Sequence, residues 1–340
     1  MPFLQTFGAG ASRGFTSGLI FGQQTATFNY TGSVQTWTVP ANTQSIYAYV
    51  FGAGGAATGD TANTVGGAGG YTVGNINPVV GSTMKIIVGG GGIIASQSNG
   101  GGGGYSAVAT PNWAGSNVDT DHAACILVAG GGGGTSEAEN QPNPFGGAGG
   151  GSTGQQGGYN NAARSGSGTG GTQSAGGTYP GQTGGGACSG GTSLCAGYKL
   201  RGGQSCGNSP GVSSGTQGWP QQIYGGNWGA AAGGGGCNGG GGGAGYYGGA
   251  GPGHDTSTYG NSQAGGGGSG YTGGSGSYTT SNVGTHNGNE HNVSSQATNS
   301  GYLTSGVSIG GINGTTNASS GNTHGGGHGK VVLYYLAPTT

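Results

Sequence analysis

Runs of consecutive glycine constrain this chain more than any other feature: Gly89 to Gly92, Gly130 to Gly134, Gly233 to Gly236, Gly239 to Gly243 and Gly265 to Gly268. They belong to a total of 96 glycines in 340 residues. Each glycine held in a regular element loses about 0.5–1 kcal/mol more than alanine would, so ordering them all costs on the order of 50 to 100 kcal/mol. Glycine buries no side chain. The compensation has to come from backbone hydrogen bonds and close backbone packing. Charge-driven disorder is disfavoured, because the chain carries only six basic and seven acidic residues, with 28 aromatics made up of 17 Tyr, seven Phe and four Trp. Collagen is excluded as well, since the glycines come in runs and there are only 11 prolines. The long runs are therefore expected as polyproline-II-like glycine helices that bond laterally to one another.

Between the runs lie short β-type segments bounded by Gly, Pro or Asn: Thr25 to Tyr30, Thr36 to Val39, Ser45 to Phe51, Tyr71 to Val73, Lys85 to Val88, Tyr105 to Val108 and Cys125 to Ala129. With no helical pattern among them, they predict an all-β, sandwich or jelly-roll-like core with almost no α-helix. Several run straight into glycine, as in Val50-Phe51-Gly52 and Val128-Ala129-Gly130, so the sheet is expected to continue into a glycine bundle. Lys330 to Leu336 is apolar on both faces and reads as a buried strand that closes the core. The expected organisation is an arm over 1–24, core strands over 25–134, a polyglycine insertion over 135–328 and a closing strand over 329–340. The arm carries Phe3, Leu4, Phe7, Phe15, Leu19, Ile20 and Phe21 without strand or helix period, which suggests an assembly device that docks on a neighbour, or packs on its own domain.

Thr36-Trp37-Thr38-Val39-Pro40, Ile46 to Phe51 followed by Gly-Ala-Gly-Gly, Gly69-Gly70-Tyr71, Pro78 to Gly81 before Met84 to Gly89, and Ile126 to Ala129 before five glycines form a recognisable series. It resembles the glycine-rich domain of the anaplastic lymphoma kinase and leukocyte tyrosine kinase receptors, over about Phe28 to Gly134, the glycine tracts and the closing strand. The resemblance implies a jelly-roll-like body with inserted polyglycine helices. No kinase domain or membrane segment accompanies it, so the fold is expected to carry over and the receptor function is not. Similar domains occur in surface proteins of large DNA viruses and tailed phages, and Leu4 to Phe15 resembles the start of such virion proteins.

The residues that could carry chemistry are few. Cys188, Cys195, Cys206 and Cys237 lie in the glycine region, where disulfides among them would have three pairings to choose from. Reduced thiols are the alternative; zinc is a rival use, although no CxxC spacing occurs. His324 and His328 flank three glycines, too poor a helix to bring both rings onto one metal, and are expected as surface histidines. Gly329-Lys330 is followed by Val331 rather than Ser or Thr, so no phosphate loop is present. Seven scattered acids support no carboxylate pair or catalytic triad. No catalytic residue, cofactor or metal is expected. Asn29, Asn292, Asn313 and Asn317 stand in sequons and are the candidate glycosylation sites, although an Asn-, Ser- and Thr-rich chain yields several such sequons by chance. Trp113, Trp219, Tyr224, Trp228, Tyr246 and Tyr247 lie in or beside glycine loops. They would serve either as recognition residues on loop tips or as caps on the glycine bundle.

A net charge of −1 and no basic cluster argue against nucleic acid, and no apolar run approaches the length of a membrane span. The start, Met1 to Thr6, lacks a basic stretch followed by an apolar one, so no secretory signal is expected. The expected function is a non-catalytic virion structural or surface protein, a minor capsid, vertex or fibre component on the virion or extracellular surface. Its partners would be further copies of itself or other structural subunits. The alternatives are an adhesin that binds a glycan or receptor through aromatic loop tips, and an ice-binding or matrix protein, for which regular Thr spacing is missing.

Overall fold

A computed structural model describes residues 21–58, 64–96, 99–135, 144–159, 162–163, 166–178, 196–203, 239–252, 264–286, 288, 307–311 and 323–338. The strands are β1 (Phe21–Asn29), β2 (Gln35–Thr38), β3 (Ser45–Phe51), β4 (Tyr71–Ile76), β5 (Thr83–Ile87), β6 (Ile94–Ser96) and β7 (Asn99–Gly100). They continue with β8 (Ser106–Ala109), β9 (Cys125–Ala129), β10 (Pro144–Phe145), β11 (Gly158–Tyr159), β12 (Ala162–Ala163), β13 (Thr280–His286) and β14 (Lys330–Pro338). A five-stranded sheet has the order β1-β14-β3-β4-β13, and a four-stranded sheet the order β2-β5-β8-β9. Pairing within both is antiparallel. The fold is all-β with very little helix.

Alternation along β3 explains how the sheets meet. Ile46, Ala48 and Val50 are fully buried, while Ser45, Tyr47 and Tyr49 face the other way. The buried set joins Ile76, Val331 and Leu333 of the same sheet and Met84, Ile86, Val108 and Leu127 of the other in one hydrophobic cluster. Removing that apolar surface from water is the main side-chain contribution to the fold. The apolar closing segment is β14, which lies between β1 and β3 and pairs with both along its length.

Three features depart from the sequence reading. Phe21 opens β1, where it pairs with Pro338, so the chain from Phe21 onward is sheet rather than arm. A helix, α1 (Val118–Ala124), separates β8 from β9. Asn117 caps it, its side-chain oxygen accepting from the N–H groups of Asp119 at 3.0 Å and Thr120 at 3.1 Å. Inside the glycine-rich region, β13 forms the far edge of the five-stranded sheet against β4.

The glycine tracts are neither helix nor sheet, and their hydrogen bonds turn with a period of three. In the tract 52–58, Gly52 and Gly55 donate to Gly70 and Gly67, Ala53 and Ala56 to Gly104 and Gly101, and Gly54 and Ala57 to Gly327 and His324. Its carbonyls accept from three further tracts: Gly132 and Thr135 on Ala53 and Ala56, Gly92 on Gly54, and Gly311 on Gly55. Tract 130–135 is surrounded in the same way. It donates to Ala244 and Gly241, to Ala53 and Ala56, and to Gly147, and it accepts from the tracts containing Gly67, Gly103 and Gly268. Residues on both sides of position 135 therefore share one hydrogen-bonded array. Spacing at these glycines leaves no room for a side chain: a Cβ on Gly55 would lie 2.1 Å from the Gly133 carbonyl oxygen, and one on Gly67 2.1 Å from that of Gly147. The array continues the sheets directly, since β3 runs into 52–58 and β9 into 130–135, while 66–70 leads into β4 and 324–329 into β14.

Candidate functional site: the aromatic cluster around the short helix

Three of the aromatics singled out in the sequence fall in the described residues, and two of them meet at one place. Trp113 is 3% exposed and packs in a cluster with Tyr105, Ala124, Cys125, Leu200 and Ala244; Tyr246 packs against the same cluster. Trp113 is thus a core residue and not a loop tip. The loop that carries it is folded back by Asp121, whose Oδ1 accepts from the N–H groups of Ala114 at 2.7 Å and Gly115 at 3.1 Å. Half-buried Tyr246 is stacked between His122, with centroids 3.8 Å apart, and Tyr271, also 3.8 Å away and tilted by only 7°. Tyr247 meets His122 edge-on at 4.9 Å and Tyr246 at 5.6 Å. The stack joins α1, through His122, to the tract 239–252 and to Tyr271.

The electrostatics of the cluster favour neutral groups. Burial, reinforced by the charge of Lys199, lowers the His122 imidazole to about 4. Burial, and then the charge of Asp121, pushes the Cys125 thiol far above its ordinary range, and its Sγ donates to the Asp121 carbonyl at 3.3 Å. The Tyr246 phenol is raised by burial first and by Tyr271 second. At neutral pH these three side chains pack as uncharged groups. On the rim, Lys199 Nζ lies 2.6 Å from Asp119 Oδ1 and ties α1 to the tract 196–203.

His328 is a correction to the expectation of surface histidines. Its ring stacks on Tyr30 at 4.1 Å, its Nδ1 accepts from the Gly91 N–H at 2.9 Å, and burial lowers its pKa to about 4. It serves as an acceptor within the glycine array in place of a carbonyl. Neither His122 nor His328 was recognisable as a packing residue from sequence; the one signal was the flanking helix cap for His122 and the flanking glycines for His328. Asn29 lies exposed at the end of β1. Phe3, Leu4, Phe7, Phe15, Leu19, Ile20, Cys188, Cys195, Cys206, Cys237, Trp219, Tyr224, Trp228, Asn292, Asn313 and Asn317 lie outside the described residues.

Among the described residues no group of three or more His, Cys, Asp or Glu is placed to hold a metal ion. Among the same residues no helix is long and apolar enough to cross a membrane. No protein-family model matches this chain, and no curated protein matches it.

Proposed function

We propose that this chain is a non-catalytic virion structural or surface protein, in which a jelly-roll-like sandwich and a polyglycine-II bundle form one rigid display body. The observation that carries the reading is the tract 52–58, bonded to neighbouring tracts on all sides with a three-residue period. That period is the one of polyproline-II geometry. A tract hydrogen-bonded in every lateral direction has little freedom to bend, and its bonds lie away from water and protease. Because the tracts 52–58, 66–70, 130–135 and 324–329 each continue a strand, stiffness passes from the sheets into the glycine region. The resemblance of the strand-and-glycine series to domains of virion surface proteins supports the same reading. Assembly is assigned to the first 20 residues, with other copies or other structural subunits as partners.

Since β1 begins at Phe21, removing residues 1–20 leaves every described strand intact. Light scattering after size-exclusion chromatography should then show an oligomer for the full chain and a soluble monomer for the shortened one. Two well-behaved monomers would contradict the assembly role. An antiserum against the folded chain should label isolated virus particles, and label confined to uninfected cells would contradict the virion assignment.

A further inference from the structure

The outer face of the five-stranded sheet departs from what an antiparallel sheet with one solvated face ordinarily carries there, which is small polar side chains. At its centre, on β3 and β14, the register places Tyr334 beside Tyr47, with Thr25 of β1 on one side and Asn75 of β4 on the other. Tyr49, two residues along β3, meets Tyr47 edge-on at 5.1 Å and Tyr334 at 6.0 Å. Next to this trio on the same face, Phe51 and Tyr71 are buried and stack at 5.1 Å, and Tyr71 also stacks on Tyr49 at 6.2 Å, which holds the half-buried rings in place. Tyr47, Tyr49 and Tyr334 themselves remain partly open to solvent, while Thr25 is exposed.

Charge and apolar area narrow what such a face can hold. Apart from tyrosines, the only ionisable side chains on the five strands are Lys330, which is 7% exposed, and His286, which stacks on Tyr71 at 5.6 Å. On these described strands an anionic ligand would find no accessible cation and a cationic one no carboxylate. A second copy of the chain is also a poor fit, because a stable protein interface needs a broad apolar centre. The large apolar groups of this face, Phe51 and Val332, are already fully covered; of the exposed ones, Val80 and Ile93 lie off the sheet, and Val283 of the edge strand β13 sits against the inner side of Gly74. What remains is flat amphipathic rings rimmed by hydroxyl and amide groups. Tyrosine of this kind supplies rigid contact area at low entropic cost, and small polar neighbours supply adaptable hydrogen bonds. A neutral sugar presents the matching surfaces, with C–H groups on its ring faces and hydroxyls at its edges.

We infer that the outer face of the five-stranded sheet binds neutral polysaccharide, with Tyr47, Tyr49 and Tyr334 as the stacking platform and Thr25 and Asn75 as hydrogen-bonding flanks. The inference stands apart from where the protein is displayed and from the arm at its start. It also places recognition on the sheet and away from the loop aromatics.

The full chain should be tested by affinity electrophoresis and calorimetry against soluble neutral glucans, mannans and galactans, with heparin as the polyanion. Retardation by at least one neutral polysaccharide and none by heparin is the expected result. Tyr47→Ala with Tyr334→Ala should weaken that binding by about tenfold or more, as loss of central aromatic contacts does. Tyr47→Phe with Tyr334→Phe keeps the rings and the fold, and should weaken binding by several-fold through the lost hydroxyls alone. No neutral polysaccharide bound, binding to heparin only, or binding unchanged in the Phe variant and in a folded Ala variant would each overturn the inference. Concentration-dependent dimerisation abolished by the same substitutions would overturn it in favour of a second copy.

Discussion

Substituting alanine for Gly55 separates an array that requires glycine from a tract that merely tolerates it. In a flexible or loosely packed segment, Gly→Ala stabilises a protein by about 0.4–1 kcal/mol, because it removes freedom from the unfolded chain. Here the added methyl would sit 2.1 Å from the Gly133 oxygen and 2.5 Å from its carbon, both of them backbone atoms with no rotamer to escape into. Moving tract 130–135 away strains the bond from Gly67 N–H to Gly133, 2.8 Å long, and the bond from Gly132 N–H to Ala53, 2.9 Å long. Overpacking a close-packed interior costs about 1–3 kcal/mol. Weakening two hydrogen bonds adds about 0.5–1.5 kcal/mol each. After the gain from the unfolded state, Gly55→Ala should destabilise by about 1–6 kcal/mol. Gly81→Ala is the control, because a Cβ there meets nothing within 4 Å and the cost comes only from its φ of +74°. That left-handed backbone should cost about 1–2 kcal/mol. Urea unfolding followed by circular dichroism measures both. A neutral or stabilising Gly55→Ala would refute the reasoning, since the sign itself would be wrong.

Acid should loosen the array at His328, whose folded pKa is depressed to about 4 from 6.5. The unfolded chain then binds more protons between those values, so the contribution is complete above about pH 6.5, is lost as the pH falls, and is gone near pH 4. Allowing for solvent screening at this half-buried ring, it amounts to about 1–2 kcal/mol. Melting temperatures across pH 4–7 should fall less steeply in His328→Phe, and parallel curves would contradict the assignment. Trp113→Ala should destabilise by about 3–5 kcal/mol as a core truncation, measured by the shift in urea midpoint. A shift within the noise would put Trp113 back on the surface. Cys125, buried with its thiol held protonated, should resist iodoacetamide in the folded protein, checked by mass mapping of its own peptide; rapid labelling would contradict its burial.

The parts of this fold visible in the sequence are those where side chains carry the information. Ile46 to Phe51 and Val331 to Tyr335 read as strands because their β-branched and aromatic residues run together, with Gly52 closing the first run and Gly329-Lys330 opening the second. Polar β13 was invisible, since an edge strand with Val283 as its one large apolar residue has no alternation to read. Seven residues of α1 are too few to show a helical period, although Asn117 before Asp119 was a usable start signal. Trp113 looked like a loop tip because Pro111, Asn112 and Gly115 surround it, and its burial depends on Asp121 reaching back to the loop backbone. The pairing of glycine tracts leaves no trace in sequence at all. Gly55 meets Gly67 and Gly133 through backbone atoms alone, and every glycine offers the same ones.

Hydrogen exchange resolved to the glycine tracts tests the rigid-body reading most directly. The amides of 52–57 and 131–135, each donating to a neighbouring tract, should exchange only as slowly as the whole protein unfolds, alongside those of β3 and β9. Exchange of these tracts at the rate of an unstructured peptide, with the strands still protected, would contradict it.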